Sequence, residues 1–415
     1  MTGTSTFVIV GGGLAAAKAA EALRANDFDG QIVLIAEETH LPYERPPLSK
    51  EFLAGKKSLG DFTVHDSAWY SDSSIVLRLG TVVTAIDRSA RLVTLADGST
   101  VHFDKLLLAT GSRSRRPPIP GSDAAGVHYL RTFDDAVALN SALREGSSLA
   151  VVGAGWIGLE VAASARGRGV DVTVVETARL PLLAALGAEA AQVFADLHTQ
   201  HGVNLLLETK VAAISTASGA ATGLKLDNGS TVHADAVLVA VGAAPNIELA
   251  TAAGLDMGDG GVLVDATLRS CDPDVFAVGD IAAAEHPFYK TRIRTEHWAN
   301  ALKQPAVAAA NMLDKHLDKH IEYAELPYFF TDQYDLGMEY VGHAPTYERV
   351  VFRGDVARRE FIAFWLDNDN RVVAGMNVNV WDVVDDVKAL ITSRAAVAPE
   401  QLADLQHPLN QLASD

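Results

Sequence analysis

Two copies of one glycine-rich turn constrain the fold of this chain more than any other feature. The first copy, VIVGGGLAA, begins at Val8, and the second, AVVGAGWIG, begins at Ala150. In each, an apolar run precedes a G-x-G-x-x-G/A pattern and a helix-compatible stretch follows it. A second apolar run then ends in an acid, Glu37 in the first copy and Glu176 in the second. One such unit is typical of a dinucleotide-binding βαβ fold, so two predict two dinucleotides in one protein and electron transfer between them.

The residue types in these turns suit the binding of a pyrophosphate. A helix N-terminus offers N–H donors and a partial positive charge. The first glycine permits the tight turn, the second lets the backbone approach the phosphates, and the third position must be small so that helix and strand can touch. Alanine takes the third position in the first copy, which the pattern tolerates. The predicted contacts in the two turns are Gly11, Gly13, Leu14, Ala15, Ala16, Gly153, Gly155, Trp156, Ile157 and Gly158.

The acid that follows each second strand is predicted to accept hydrogen bonds from the hydroxyls of an adenosine ribose. A carboxylate there repels a 2′-phosphate, so Glu176 favours NADH over NADPH. Arg179 is close enough in sequence to leave NADPH open. For Glu37 and Glu176 alike, a solvated strand end is the alternative interpretation.

Composition excludes several classes of function. The 415 residues exceed one ordinary core, and the 48% hydrophobic and 21% charged residues are typical of a globular protein. A net charge of −18 argues against a general nucleic-acid binder. The segment before Val8 has neither basic residues nor a long apolar run, and no apolar run elsewhere approaches the length of a membrane span. We therefore expect no secretory signal, no membrane anchor and a cytoplasmic location.

The chain has a single cysteine, Cys271, which limits its redox chemistry. It can form neither an intrachain disulfide nor a C-x-x-C pair, so electrons on a bound cofactor must leave directly to an external acceptor. We expect Cys271 to be a small buried residue. The 13 histidines show no H-E-x-x-H or comparable spacing, so no metal site is predicted.

Several further blocks carry a family resemblance. They are PYERPPLSK at 42–50, LATG at 108–111, VGAAPN at 241–246, AVGD at 277–280, EHW at 296–298 and PYFFTD at 327–332. With these blocks and the second turn, which includes Glu160, the chain resembles the FAD- and NADH-dependent ferredoxin reductases of bacterial cytochrome P450 and aromatic-ring dioxygenase systems. The resemblance extends over nearly the whole chain and implies a flavoprotein reductase that uses FAD and NADH.

The resemblance implies a role for each matching residue. It assigns the first turn and Glu37 to the ADP half of FAD, and the second turn and Glu176 to NADH. It places Lys50 near the flavin ring, Asp280 beside the ribitol chain and Trp298 at the pyrimidine end. The other cofactor contacts that it implies are Arg45, Val82, Ala109, Thr110, Gly111, Arg131, Gly242, Gly279, Glu296, His297 and Phe330.

Lys50 and Glu160 form the candidate catalytic pair, with Glu160 beside the nicotinamide by resemblance. Independently, Pro46 is a natural helix entry that puts Lys50 in the first turn, where a cation opposes the helix dipole and needs an acidic partner. A cation beside the flavin would stabilise the negative charge of the reduced form. The alternative is that both residues lie on the surface. Neither is predicted to act as a general acid or base. Many relatives carry Trp at the position of Phe330, so nicotinamide stacking can differ here.

The order of the elements predicts two Rossmann-like α/β domains and a C-terminal α+β domain. Strand-like and helix-like runs alternate through the first third, and a second βαβ unit follows the Pro- and Arg-rich stretch 112–121. From about Leu326, aromatic β-rich segments predict an antiparallel sheet with a helix near 383–394. The predicted FAD domain is discontinuous, at 1–113 and 244–323, the NADH domain is 114–243, and the C-terminal domain is 324–415.

The predicted electron acceptor is a small [2Fe–2S] ferredoxin that serves a cytochrome P450 or another oxygenase. A flavin accepts two electrons as a hydride and releases them singly, which suits a one-electron iron–sulfur carrier. Because ferredoxins are usually acidic, we predict a basic collar near Trp298, consisting of Lys290, Arg292, Arg294 and Lys303. The alternatives are rubredoxin, a quinone, ascorbyl radical or oxygen as acceptor, or a redox-switched binding flavoprotein of the apoptosis-inducing-factor type.

Overall fold

The structure, a computed structural model, describes residues 5–313 and 320–412. The strands in these ranges are, in chain order, β1 Thr6–Val10, β2 Gln31–Ile35, β3 Ile75–Arg78, β4 Val83–Asp87, β5 Leu92–Leu95, β6 Thr100–His102, β7 Lys105–Leu108, β8 Ser112–Ser114, β9 Val127–His128, β10 Ser148–Val152, β11 Asp171–Val175, β12 Asn204–Leu206, β13 Val211–Ala217, β14 Ala220–Leu226, β15 Thr231–His233, β16 Ala236–Val239, β17 Ala243–Pro245, β18 Met257–Gly258, β19 Gly261–Val264, β20 Val275–Ala277, β21 Ala282–His286, β22 Thr291–Ile293, β23 Tyr328–Gln333, β24 Leu336–Gly342, β25 Arg349–Asp355, β26 Glu360–Leu366 and β27 Val372–Val378.

α-Helices alternate with strands around β1–β3 and β9–β12, and the other strands follow one another in longer runs. The α-helices are α1 Leu14–Ala25, α2 Ser67–Asp72, α3 Phe133–Ala142, α4 Trp156–Arg166, α5 Leu183–Gln200, α6 Glu248–Ala252, α7 Trp298–Met312, α8 Val384–Ser393, α9 Pro399–Ala403 and α10 Leu409–Leu412. Short 3₁₀ helices occur at Pro46–Ser49, Leu59–Phe62 and Gly279–Ile281. In the described ranges, no helix combines the length and the apolarity that a membrane span requires.

The chain divides into two compact units, each built from separate segments. The first unit consists of Met1–Arg45, Leu59–Arg113 and Ala243–Pro327, and the second of Pro46–Ser58, Ser114–Gly242 and Tyr328–Asp415. Each unit contains one of the two glycine turns.

The first unit is built on a parallel sheet with strand order β20-β7-β1-β2-β3. Val10 at the end of β1 lies opposite Ile35 of β2 and Leu108 of β7. Strands β1, β2 and β7 are apolar runs whose side chains are almost all buried, as expected for strands of a parallel sheet that is covered on both faces. Helices α1 and α7 pack against each other. Smaller sheets, β4-β5-β6 and β18-β19-β21-β22, complete this unit.

The second unit contains a parallel sheet, β12-β11-β10-β16-β9, and an antiparallel sheet, β23-β24-β27-β26-β25. In the parallel sheet, Val152 of β10 lies opposite Val175 of β11 and Val239 of β16. Trp365 of the antiparallel sheet is buried, and its indole N–H donates to the Leu186 carbonyl of α5 at 3.1 Å. These sheets agree with the predicted fold class, and α8 lies where the C-terminal helix was predicted.

The prediction that Cys271 is buried was wrong, because this residue is exposed. It lies in a surface turn of the first unit, in which the Ser270 N–H donates to the Val275 carbonyl at 3.0 Å. Its sulfur lies 3.9 Å from a guanidinium nitrogen of Arg88. A turn that returns the chain directly to β20 leaves its outermost residue in solvent, whatever the hydrophobicity of that residue.

Candidate active site

The carboxyl ends of four parallel strands define one edge of the first unit's main sheet. Because β1, β2, β7 and β20 run parallel and pair as neighbours, the loops that follow them lie at the same edge. These loops carry the first glycine turn, Glu37, Ala109–Gly111 and Gly279–Asp280. This edge of an open α/β sheet is where ligands bind, so the sheet brings together residues that are far apart in the sequence.

The first glycine turn has the geometry that a pyrophosphate requires. Gly11 has a φ of +138°, and a Cβ there would lie 2.1 Å from the Ala109 carbonyl oxygen. Gly13 is the N-cap of α1, no side chain caps this helix, and a Cβ at Gly13 would meet no atom within 4 Å. The helix N-terminus therefore opens into space large enough for the backbone to approach a phosphate. Ala16 is fully buried between helix and strand.

The acids after β2 have different environments. Glu37 is exposed, whereas Glu38 accepts hydrogen bonds from Arg45 at 2.7 Å and from the Tyr43 hydroxyl at 2.5 Å. The Arg45 guanidinium also stacks 5.2 Å from the Tyr43 ring centroid. Glu38 therefore orients Arg45, although no role was predicted for it from the sequence. Its adjacency to Glu37 was the only available signal.

The remaining predicted residues of the first unit lie in the segments 279–280 and 296–298 and at Val82. The Gly279 N–H donates to Gln304 of α7 at 2.7 Å, which fixes the turn that carries the buried Asp280. Trp298 begins α7 after Glu296 and His297, and its indole N–H donates to Glu44 at 3.0 Å. Val82 is exposed just before β4.

The second glycine turn repeats this geometry in the second unit. Gly153 has a φ of +101°, and a Cβ there would lie 2.5 Å from the Ala240 carbonyl oxygen. Gly155 is the N-cap of α4, with no side-chain cap and no atom within 4 Å of an added Cβ. A Cβ at Gly158 would lie 2.2 Å from the Gly153 carbonyl oxygen. Both turns therefore fit a dinucleotide, and the second has no room for a side chain at its third position.

Glu176 is tied directly to this turn. Its carboxylate accepts the Ala154 N–H at 2.8 Å and the Ala178 N–H at 2.9 Å. These two bonds hold the carboxylate at the carboxyl edge of the sheet and leave it further lone pairs for ribose hydroxyls. Arg179 is exposed.

Two other predicted residues follow strands of the same parallel sheet. Gly242 comes after β16 with a φ of +102°, and an added Cβ there would meet no atom within 4 Å. Arg131 comes after β9, and its backbone N–H donates to Asp135 of α3 at 3.0 Å. Both lie beyond strands that pair in parallel with each other, so they share the carboxyl edge with Glu176.

Lys50 does not lie in the first turn of a helix, which corrects the prediction. The 3₁₀ helix Pro46–Ser49 ends one residue before Lys50, which lies in the turn that follows. Lys50 Nζ lies 3.2 Å from Glu160 Oε2, and the two side chains are only 10% and 5% exposed. Lys50 also lies 5.4 Å from the centroid of the Phe330 ring.

Both oxygens of the Glu160 carboxylate are held by hydroxyl groups. Ser49 donates to Oε2 at 2.5 Å, and Thr331 of β23 donates to Oε1 at 2.6 Å. Ser49 and Thr331 lie in the blocks PYERPPLSK and PYFFTD but were not predicted to have roles. Their bonds join residues 111 and 171 positions apart, which no local pattern could reveal.

More acids than cations surround this pair. Burial raises the pKa of Asp332, Lys50 opposes that rise, and the neighbouring carboxylates Glu160, Glu51 and Glu339 add to it. These carboxylates therefore disfavour a negative charge on Asp332, which leaves Glu160 as the ion-pair partner of Lys50.

The predicted basic collar is largely neutralised. Arg294 donates to the Asp280 carbonyl at 3.1 Å and is only 19% exposed, so it supports the turn of the first unit. Three of the four basic residues form ion pairs with acids, namely Arg292 with Glu285 at 2.5 Å, Arg294 with Glu296 at 2.6 Å and Lys303 with Glu325 at 2.5 Å. Lys290 is exposed and has no ion pair in the described part of the chain.

Comparison with known proteins decides the family. Residues 5–305 match the Pyridine nucleotide-disulphide oxidoreductase family and residues 328–413 match the Reductase C-terminal family. The chain is 44% identical over 398 residues to the ferredoxin–NAD(+) reductase component of the anthranilate 1,2-dioxygenase system of Burkholderia cepacia, covering 96% of this chain and 97% of that protein. It belongs to the ferredoxin–NAD(+) reductases of this oxidoreductase family.

Other ferredoxin–NAD(+) reductase relatives agree. Rhodocoxin reductase of Rhodococcus erythropolis is 38% identical over 404 residues, covering 97% of this chain and 93% of that protein. The crystal structure of the covalent putidaredoxin reductase–putidaredoxin complex matches with a TM-score of 0.94 and 35% identity, over 100% of this chain and 99% of that one. The family resemblance, the fold class, the enzyme class and the use of FAD and NADH are therefore confirmed.

Proposed function

We propose that this ferredoxin–NAD(+) reductase carries electrons from NADH to a small [2Fe–2S] ferredoxin that serves a cytochrome P450 or an aromatic-ring oxygenase. When bound, FAD supplies the chemistry that links NADH, which donates two electrons as a hydride, to an acceptor that takes one electron at a time. The relatives named as components of dioxygenase systems and as putidaredoxin reductase support this acceptor class.

One observation carries the proposal: each unit has its own helix that begins at a glycine, lacks a side-chain cap and opens into free space. Gly13 has this position on α1 and Gly155 on α4. A protein that needs a single dinucleotide has no use for two such helix ends.

The first unit would bind FAD. Its glycine turn would hold the pyrophosphate, Glu37 the adenosine ribose and Asp280 the ribitol hydroxyls. The other first-unit residues proposed for FAD are Arg45, Val82, Ala109, Thr110, Gly111, Gly279, Glu296, His297 and Trp298. Lys50, Arg131 and Phe330, which the family resemblance also assigns to the flavin, belong to the second unit, and their assignment stays a prediction.

The second unit would bind NADH. Its glycine turn would hold the pyrophosphate, and Glu176 would accept the ribose hydroxyls and repel a 2′-phosphate. Glu160 would lie beside the nicotinamide, with its charge balanced by Lys50. The carboxylate that is fixed at the turn supports the preference for NADH over NADPH.

The three-domain division belongs to the same proposal. An FAD domain at 1–113 and 244–323 and an NADH domain at 114–243 give each cofactor one parallel sheet. A C-terminal domain at 324–415 is supported by the match of residues 328–413 to the Reductase C-terminal family. A cytoplasmic location would place the enzyme with its NADH supply, and its single cysteine suits a reducing compartment.

The proposed docking surface for ferredoxin near Trp298 contains fewer available cations than the basic collar that the sequence predicted. Because Arg292, Arg294 and Lys303 are paired with acids, Lys290 is the cation best placed to interact with an acidic partner. Long-range attraction of this kind weakens as salt rises.

An acceptor panel tests the proposal. The FAD-loaded protein is assayed with NADH or NADPH against ferricyanide, a quinone and the [2Fe–2S] ferredoxins encoded near it. We expect efficient reduction of one ferredoxin with NADH, and Lys290→Glu should lower that rate several-fold at low salt while leaving ferricyanide reduction unchanged. A purified protein that binds no FAD, or one that reduces no ferredoxin faster than oxygen, would refute it.

A further inference from the structure

Behind Glu160, the second unit contains an unbroken row of buried hydrogen bonds. Thr331 donates to Glu160 Oε1 at 2.6 Å, Gln333 Nε2 donates to Thr331 Oγ1 at 3.2 Å, and Gln333 Oε1 lies 2.8 Å from His198 Nε2. The four residues are at most 4% exposed. We call Glu160, Thr331, Gln333 and His198 the Glu160 hydrogen-bond chain.

The direction of each bond follows from the charge of Glu160. Its ion pair with Lys50 requires an ionised carboxylate, which can only accept hydrogen bonds. Thr331 must therefore give its one hydroxyl hydrogen to Glu160, and Gln333 must present its NH₂ group to Thr331. The amide oxygen of Gln333 then faces His198, so the hydrogen of that imidazole must be on Nε2.

The far end of the chain fits the same polarity. Burial lowers the pKa of His198 to about 4, so the imidazole is neutral near pH 7 and its Nδ1 is an acceptor. The Tyr334 hydroxyl lies 3.4 Å from that nitrogen and supplies the donor. Every donor in the row points toward Glu160, and hydrogen bonds aligned in this way polarise one another.

We propose that Thr331, Gln333 and His198 are positioning residues that fix the orientation of the Glu160 carboxylate. The terminal torsion of a glutamate has broad minima, so a carboxylate held through one oxygen can rotate. Ser49 and Lys50 hold Oε2, and the hydrogen-bond chain holds Oε1. The inference rests on the proposed role of the Lys50–Glu160 pair beside the nicotinamide, and it adds the residues that make this geometry rigid.

Variants of the FAD-loaded protein test this inference. Thr331→Val removes the donor to Glu160 at constant shape, and Gln333→Met removes the next link. We expect each to lower kcat for NADH-dependent ferricyanide reduction roughly tenfold, with KM for NADH changed less than about twofold. Thr331→Ser, which keeps the hydroxyl, should retain most of the activity. Tyr323→Phe removes a buried hydrogen bond to Asn300 in the first unit and should leave kcat unchanged.

Coupling to Glu160 distinguishes positioning from a structural effect. In a Glu160→Gln background, Thr331→Val should change kcat less than about twofold, because the group that Thr331 orients is already altered. In the unaltered protein, ¹⁵N NMR should show the His198 hydrogen on Nε2 at neutral pH. A hydrogen on Nδ1, or Thr331→Val losses that are equal in both backgrounds, would overturn the inference.

The proposed function and this inference fail in different ways. If Glu160→Gln itself leaves kcat unchanged, the proposed role of the Lys50–Glu160 pair is wrong and the inference falls with it. If Glu160→Gln is slow while Thr331→Val and Gln333→Met match the unaltered enzyme, only the positioning role is refuted.

Discussion

Lys50 Nζ lies 3.2 Å from Glu160 Oε2, and the two side chains are buried from solvent to 10% and 5% exposure. A pair of charges so far removed from water is stabilised only while both partners and their hydrogen bonds are present. Breaking the pair should therefore lower the stability of the second unit as well as affect the proposed chemistry, and the two effects can be separated by experiment.

Glu160→Leu should destabilise the protein by about 3–5 kcal/mol, because it leaves the Lys50 ammonium buried without its main counter-charge. The double variant Lys50→Met/Glu160→Leu should recover most of that loss, since an apolar pair replaces the ion pair. Urea unfolding of the FAD-loaded proteins measures both free energies. A single variant as stable as the unaltered protein would show that water or Asp332 already neutralises Lys50.

The third position of the glycine pattern distinguishes the two turns. A methyl group at Gly158 would lie 2.2 Å from the Gly153 carbonyl oxygen, whereas Ala16 already fits, fully buried, in the first turn. Gly158→Ala should shift α4 away from β10 and raise KM for NADH roughly tenfold, in line with the cost of overpacking. FAD content, read from flavin absorbance, should be unchanged.

The matched control is the reverse change in the first turn. Ala16→Gly removes one buried methyl group and adds backbone freedom, which costs about 1 kcal/mol of stability without blocking either turn. KM for NADH should stay at its original value. If Gly158→Ala and Ala16→Gly changed KM equally, close helix–strand contact would not govern NADH binding.

Local patterns predicted the parts of the fold that depend on neighbours in the sequence. Both glycine turns, the strand that precedes Glu176 and the C-terminal helix near Val384 follow from turn chemistry and apolar spacing, and the structure contains them. The exposure of Cys271 could not be predicted from its residue type, because its position in a surface turn depends on the strands at either side.

Long-range partners were beyond the reach of the sequence. Lys50 and Glu160 were paired through resemblance, yet Thr331, which bonds to Glu160 from 171 residues away, carried no recognisable signal. The ion pairs of the basic collar were missed for a different reason. The acids that neutralise Arg292 and Arg294 are Glu285 and Glu296, which lie seven and two residues away in the chain, but the sequence does not show which neighbouring side chains form ion pairs.

Glu176→Ala should narrow the preference for NADH over NADPH. The substitution removes a charged acceptor of ribose hydroxyls and the repulsion of a 2′-phosphate, so KM for NADH should rise roughly tenfold while KM for NADPH falls or stays constant. Steady-state ferricyanide reduction with each nucleotide measures the ratio. Because Glu176 also accepts the Ala154 N–H, equal rises in both KM values would mean that it acts only by holding the turn.

Acid should destabilise the protein through His198. Burial lowers the pKa of this imidazole from 6.5 to about 4, so at a pH between these values His198 is protonated in the unfolded chain and neutral in the folded chain. The free energy of unfolding should therefore fall as pH drops from 6.5 to 4, by up to about 3 kcal/mol from this residue. His198→Gln keeps a donor for Gln333 but cannot titrate, so its stability should depend less on pH. Urea unfolding at several pH values measures the effect, and the difference between the two proteins cancels the contributions of the other ionisable groups. Parallel curves for the two proteins would show that His198 is protonated equally in the folded and the unfolded chain.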